Sequence, residues 1–286
     1  MKAITLSACA KINLVLEVLG RRADGYHDIS TIFQEISLAD TVSLSLVNQG
    51  IALEVNNDPD LPADERNLAF KAAAIFLQHY PQQLGVNIKL VKRIPHGAGL
   101  GGGSSDAAAV LRGLNQLCGQ PFTSERLAEL ACSLGSDVPF FIRGGTALGS
   151  SRGEVLTQLP VKGWRAGLVI VKPQVSLSTA LMYKQLNSGL TIGLENIRIL
   201  RLILLEQRFS EIGPYLFNRF EDVAYGVCPR IREIKQALLH AGCSAVLLCG
   251  SGSATFGLTQ DISAAKIIAQ AWKGEESVFV AEVVMK

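Results

Sequence analysis

The chain has 286 residues, 48% of them hydrophobic and 18% charged, which excludes disorder and allows one large domain or two of about 150 residues. With 27 Lys+Arg against 25 Asp+Glu the formal charge is +2, too near balance for a general nucleic-acid binder. No apolar run approaches the ~18 residues of a membrane span, and residues 1–4 lead straight into strand-like sequence, so a soluble, cytoplasmic protein is expected.

Apolar and polar residues alternate over 4–19, 29–37, 41–47 and 51–56, which predicts strands, mostly antiparallel, with a turn at Asp24-Gly25. A helical pattern follows from Asn67 to Tyr80, then a strand from Asn87 to Ile94. Ser104 to Leu117 has helical composition, and Thr123 with Glu125 and Arg126 opens a second helix that ends near Gly135. A hairpin is expected over 145–149 and 154–158, turning at Arg152-Gly153. Beyond it come a strand from Ala166 to Val171, several helices filling 178–241, strands at 244–249 and 254–259, a helix at 262–273 and a strand at 277–284. Strand, helices, two strands, helix, strand is the split βαβ order, so the chain reads as α+β with a boundary near residue 158 and a ferredoxin-like second domain. Six cysteines (Cys9, Cys118, Cys132, Cys228, Cys243, Cys249) lie far apart without a C-x-x-C pair and read as reduced thiols.

Between the strand ending at Ile94 and the alanine-rich helix lies Pro95-His96-Gly97-Ala98-Gly99-Leu100-Gly101-Gly102-Gly103-Ser104-Ser105-Asp106. Glycines let a backbone turn its N–H groups toward an anion, and the start of a helix adds partial positive charge, so this segment reads as a phosphate cradle. Gly97, Gly99 and Gly102 fit G-x-G-x-x-G, but no acidic residue ending a second parallel strand follows about 20 residues on, which argues against a dinucleotide fold. The chain holds no H-R-D, no D-F-G and no Gly-Lys pair, which excludes a protein kinase and a Walker A loop. Gly149-Ser150-Ser151-Arg152-Gly153 matches the hydrolase signature G-x-S-x-G, but in a predicted hairpin instead of a strand-to-helix elbow.

Three polar residues stand out from the residues alone. In Ala8 to Val18 every even position is apolar, so Lys11 and Asn13 share the opposite face, which is either a solvated face or a site. Asp137, in Gly135-Ser136-Asp137-Val138-Pro139-Phe140-Phe141, is placed to cap a short helix, a position that also fixes a side chain rigidly.

The glycine segment resembles the ATP-binding motif of the GHMP kinases, and Ala10-Lys11-Ile12-Asn13-Leu14 resembles their first motif, A-K-[IV]-N-L. That resemblance implies a two-domain GHMP kinase fold, an N-terminal α/β sandwich-like domain over 1–158 and a C-terminal ferredoxin-like domain over 159–286, with the active cleft between them. It implies ATP with Mg²⁺, the phosphates wrapped by Pro95 to Ser105, a hydroxyl of Ser104 or Ser105 near the metal, Asp106 facing ribose or metal, and Asn67 at the adenine. Asp137 becomes the acid/base of phosphoryl transfer, paired with Lys11, and Asn13 a substrate-binding residue. Arg21-Arg22-Ala23-Asp24-Gly25-Tyr26-His27 matches R-R-x-D-G-Y-H, a signature of one branch of the family and absent from its other members. The partner it implies is a small cytidine diphosphate-linked alcohol, with His27 reading the cytosine edge and Tyr26 and Tyr183 as aromatic walls. Val175-Ser176-Leu177-Ser178-Thr179 resembles the family's V-S-x-x-T, which would bring Thr179 to the substrate; as a plain sequence it is a helix start with Ser178 or Thr179 as cap. Cys249 to Ala254 resembles the third motif, whereas Asn218-Arg219-Phe220-Glu221 departs from the usual Asn-Asp-Leu/Phe-Glu at Arg219. No nucleic acid or membrane partner is implied, and the sequence sets no oligomeric state.

Overall fold

A computed structural model describes residues 2–186 and 193–286. Packing divides the chain into two compact units with interleaved segments. Met1–Ala10, Ala39–Ile94 and Gly101–Gly144 form the first, and Lys11–Leu38, Pro95–Leu100 and Gly145–Lys286 the second. Compactness does not follow a single cut near residue 158, because two long strands each continue from one unit's segments into the other's. These are β1 (Ala3–Arg21) and β2 (His27–Val47). The stretches 29–37 and 41–47, read as two strands, are one. Asp40 in the joint is buried yet paired: Oδ1 accepts from the backbone N–H of Arg93 at 2.5 Å and of Ile94 at 2.9 Å, and Oδ2 accepts from Lys92 Nζ. A buried carboxylate with that many donors does not have to break the strand to reach water.

In the first unit β3 (Ile51–Asn56) runs parallel to the strand Gly85–Val91, which is antiparallel to Thr41–Val47 of β2. The intervening α1 (Leu68–His79) starts where predicted, with Asn67 Oδ1 accepting from Ala69 N at 2.9 Å, and Gly85–Val91 is β4. Next come α2 (Gly102–Leu117), α3 (Ser124–Cys132) with Thr123 as its cap, and a short α4 (Val138–Arg143) after Asp137. Helix α2 is the core element, burying Ala107, Ala108, Ala109, Val110, Leu111 and Leu114. Gly113 is needed there, since a Cβ would stand 2.5 Å from Leu44 and 2.8 Å from Leu6.

In the second unit β5 (Thr146–Ser150) pairs antiparallel with Thr31–Gln34 of β2, and β6 (Val155–Gln158) closes the predicted hairpin. Then follow β7 (Gly167–Lys172), α5 (Thr179–Gln185), α6 (Gly193–Leu205), the two-residue β8 (Phe217–Asn218), α7 (Glu221–Val227) and α8 (Pro229–His240). Of the stretch 178–241, residues 187–192 lie outside the described residues. The chain ends with β9 (Ala245–Leu248), β10 (Thr255–Thr259), α9 (Ile262–Ala271) and β11 (Ser277–Glu282). Their sheet has the order β11-β7-β10-β9 with every neighbour antiparallel, the ferredoxin-like arrangement read from the sequence. Alternate residues of β7, Val169 and Val171, pack with Ile234 and Leu238 of α8 and Ala265 of α9. Elsewhere in the unit β8 lies parallel to β1, pairing Val15 with Phe217 and Leu16 with Asn218.

None of the six cysteines is in a disulfide, and burial pushes Cys243 up to about 11 and Cys249 up to about 12, so both are inert core groups. Among the described residues no helix is long and apolar enough to cross a membrane.

Candidate active site

The glycine segment is divided between the units. In the second unit Gly97 and Gly99 have φ of 63° and 76°, and a Cβ on Gly99 would stand 1.9 Å from the carbonyl oxygen of Cys249. That close approach ties the segment to the Cys249–Ala254 turn, where Ser253 N and Ala254 N donate to Gly97 O and Ala98 O, both at 3.3 Å. Lys11 N donates to Leu100 O at 3.0 Å, which fixes β1 to the same loop. In the first unit Gly101, with φ of 74°, precedes α2, and no side chain caps that helix start. Uncapped N–H groups at a helix N-terminus are anion donors, and only glycines admit the backbone path that presents them.

Ser105 is buried and its Oγ donates to Cys9 O at 2.6 Å, so Ser104, half-buried, is the more available hydroxyl. Asp106, expected to face ribose or metal, is instead buried beneath the helix start, where Lys92 Nζ donates to its Oδ2. Its other oxygen is one of the buried atoms with no hydrogen-bond partner among the described residues. Burial, reinforced by nearby Asp40 and opposed by Lys92, pushes the Asp106 carboxyl up to about 7. Asn67 uses both ends of its amide structurally, capping α1 and donating to Pro62 O at 2.8 Å.

The Lys11 face is not solvated. Lys11 is 4% exposed and Asn13 2%, and they form a chain in which Lys11 Nζ donates to Asn13 Oδ1 at 2.9 Å and Asn13 Nδ2 to Thr31 Oγ1 at 2.8 Å. Thr31 Oγ1 donates in turn to Val15 O at 2.6 Å, and Lys11 Nζ lies 5.5 Å from the centre of the Phe33 ring. A buried ammonium is expensive unless neighbours compensate it, so a lysine fixed this way is held for its charge. Asp137 precedes α4 with φ of −85° and ψ of −17°, half-buried, and its carboxylate makes no capping bond to that helix. The capping reading is therefore corrected: the position is a helix start, but the side chain is not spent on it.

The acceptor candidates are partly brought together. His27 stacks on Tyr183 with ring centres 4.7 Å apart and planes at 20°, and Tyr183 meets Phe220 edge-on at 4.9 Å. Tyr26, expected as the opposite wall to Tyr183, is not the ring that stacks there; it carries the Arg152 guanidinium 5.0 Å from its centre. Thr179 Oγ1 lies 2.9 Å from Ser251 Oγ, joining the start of α5 to the Cys249–Ala254 turn, while Ser178 takes the cap position without a side-chain bond.

Sequence reasoning missed the props. Asn218 Nδ2 donates to Leu248 O at 2.9 Å and Gly250 O at 2.8 Å, and Glu221 Oε1 accepts from Leu248 N at 3.1 Å, so this segment shapes the turn that meets Gly99. Arg219, which departs from the family pattern, stands 3.7 Å from the fully buried Glu17. Thr31 and Phe33 lie on β2 with no motif to mark them; only their pairing across the sheet reveals them.

A fold of this topology with a glycine cradle and a buried lysine is that of a small-molecule kinase, and the models of two sequence families agree: GHMP kinases N terminal domain over residues 67–145 and GHMP kinases C terminal over 200–276. The chain belongs to the GHMP kinase family. It is 44% identical over 275 residues, 94% of each chain, to the 4-diphosphocytidyl-2-C-methyl-D-erythritol kinase of Moorella thermoacetica. It is 41% identical to the protein of the same name from Desulfotalea psychrophila, over 94% of this chain and 89% of that one. A solved structure, a crystal structure of 4-(cytidine 5'-diphospho)-2C-methyl-D-erythritol kinase, superposes with a TM-score of 0.83 at 34% identity, covering 98% of this chain and 99% of the other.

Proposed function

We propose that the chain is an ATP-dependent kinase that phosphorylates the 2-hydroxyl of 4-diphosphocytidyl-2-C-methyl-D-erythritol, in the non-mevalonate route to isoprenoid precursors. The observation that carries this reading is the His27–Tyr183 stack, the imidazole of the R-R-x-D-G-Y-H segment against a ring of α5, in a chain 44% identical to a kinase named for that acceptor. Imidazole offers a donor and an acceptor to a base edge, and an aromatic ring offers a stacking face.

Phosphoryl transfer passes through a loose transition state, so the protein's task is to position the hydroxyl and to stabilise charge. Pro95, His96, Gly97, Ala98, Gly99, Leu100, Gly101, Gly102, Gly103 and Ser104 supply the cradle for the ATP phosphates, a reading supported by the start of α2 after Gly101, which no side chain caps. Mg²⁺ would be carried on the nucleotide, with the half-buried Ser104 hydroxyl beside it. Mg²⁺ neutralises charge that develops on the phosphates. Asp137 accepts the proton of the acceptor hydroxyl, and Lys11, aimed by Asn13 and Thr31, favours the alkoxide. Thr179 and Tyr183 hold the acceptor, with Tyr26 and His27 at its base. Asn67 borders the adenine from the start of α1.

The family's two domains divide at residues 1–158 and 159–286, consistent with matches that lie on either side of that point. A cytoplasmic enzyme with small-molecule partners and no nucleic acid or membrane partner fits six cysteines outside any disulfide. The test is ATP consumption with 4-diphosphocytidyl-methylerythritol, mevalonate, homoserine and galactose in turn. Turnover confined to the first is expected, and turnover with one of the others instead would replace the assignment.

A further inference from the structure

The β5–β6 turn resembled a hydrolase signature, and the chemistry proposed above does not use it. It is nevertheless built onto the same residues. A Cβ at Gly149 would stand 2.7 Å from the Phe33 ring, and one at Gly153, whose φ is 108°, would meet Ile29 at 3.3 Å and Phe33 at 3.5 Å. The two glycines thus seat the turn on the ring that lies under Lys11. Ser151 takes a left-handed φ of 61°, rare for a residue with a side chain, and both its polar groups are engaged. Its carbonyl accepts from Ile29 N at 2.6 Å and its Oγ accepts from Arg22 Nη1 at 3.0 Å. Arg22 also holds Asp28 at 2.7 Å and Asp24, and Asp24 accepts from Tyr26 N at 3.1 Å, so turn and Tyr26 segment form one bonded network.

From that network Arg152 projects over Tyr26. Glu154 aims it, accepting from Arg152 Nε at 3.1 Å and from its backbone N–H at 2.8 Å. Tyr26 is 56% exposed, which for a ring on a turn means rotational freedom that binding would have to remove. We propose that Arg152 is a positioning residue for acceptor recognition: held by Glu154 on one face of Tyr26, it fixes that ring in advance for stacking against the pyrimidine base of the acceptor. The inference rests on the cytidine-bearing acceptor proposed above.

The experiment is steady-state kinetics at saturating ATP with 4-diphosphocytidyl-methylerythritol varied, for Tyr26→Ala, Arg152→Met, Arg152→Lys and the double variant Tyr26→Ala/Arg152→Met. A cation–π contact and one ordered ring correspond to about 3- to 10-fold. Arg152→Met should raise the acceptor KM by that factor with kcat and the ATP KM unmoved. Arg152→Lys, which keeps the cation, should recover part of the loss, and Arg152→Met should add nothing once Tyr26 is Ala. If Tyr26→Ala leaves the acceptor KM unchanged, the acceptor reading fails and this inference with it. If Tyr26→Ala is damaging while Arg152→Met is silent, or the two losses simply add, the acceptor reading stands and the role of Arg152 is overturned.

Discussion

At the scale of single residues, the site separates groups that are buried for packing from groups that are buried for use. Asp137 begins a helix without a side-chain capping bond, so its replacement removes no cap from α4. Asp137→Asn keeps the shape and removes the proton acceptor, and should lower kcat by more than 100-fold with ATP binding nearly unchanged, in line with general-base contributions of about 10² to 10⁴. Turnover near that of the unaltered enzyme would remove Asp137 from the mechanism. His27 makes a complementary case on the acceptor side. If it reads the base edge, His27→Ala should cost roughly 1 to 3 kcal/mol, or about 5- to 150-fold in kcat/KM for the acceptor, while the KM for ATP stays put. An acceptor KM and kcat both unmoved would refute a base-reading role, because an acceptor without a base gives His27 nothing to recognise.

At the scale of elements, the start of α2 is supported by a charge cluster that joins three of them: Asp40 on β2, Lys92 just past β4 and Asp106 on α2. One buried cation between two buried carboxylates leaves one negative charge in excess, and desolvation pushes Asp106 up to about 7. An Asp in the unfolded chain titrates near 3.9, so between about pH 4 and pH 7 the folded state holds a proton that the unfolded state has lost. A group whose pKa is raised by folding contributes most at low pH, and its contribution is lost as pH rises through the folded value. Stability from this group should therefore fall across that window by at most about 1.4 kcal/mol per pH unit. Denaturant unfolding of the wild type and Asp106→Asn over pH 4.5 to 7.5 measures it: the wild type should lose stability relative to the variant as pH rises. A difference that is flat with pH would show that Asp106 titrates normally. The same cluster shows where sequence reading stopped. The glycines and the helix after them were legible because turn and cap chemistry is local, whereas Asp106 was assigned to ligand because its partners are 66 and 14 positions away and carry no motif.

At the scale of the whole chain, the ferredoxin-like sheet was legible because its elements follow one another in the split βαβ order and its strands are short apolar runs set apart by helical stretches. The compact units were not, since β1 and β2 each read as strand throughout and nothing in a strand's pattern shows that its two halves pack in different units. That arrangement has a consequence for unfolding. The second unit draws Lys11–Leu38 and Pro95–Leu100 from the first 100 residues, and the first unit draws its segments from both sides of them. Neither unit can melt without disordering strand segments continuous with the other, so their stabilities are coupled through the covalent continuity of β1 and β2. A fragment of residues 159–286 would lack the β1 segment that pairs with β8 and the β2 residues Glu35 and Ile36 that bond Val284 and Val283, leaving polar backbone edges and apolar faces uncovered. We expect the intact chain to unfold in one calorimetric transition whose van't Hoff and calorimetric enthalpies agree, and residues 1–158 or 159–286 expressed alone to show no cooperative melt. Two resolved transitions, or a cooperative melt of either fragment, would show that the units are independent despite the strands they share.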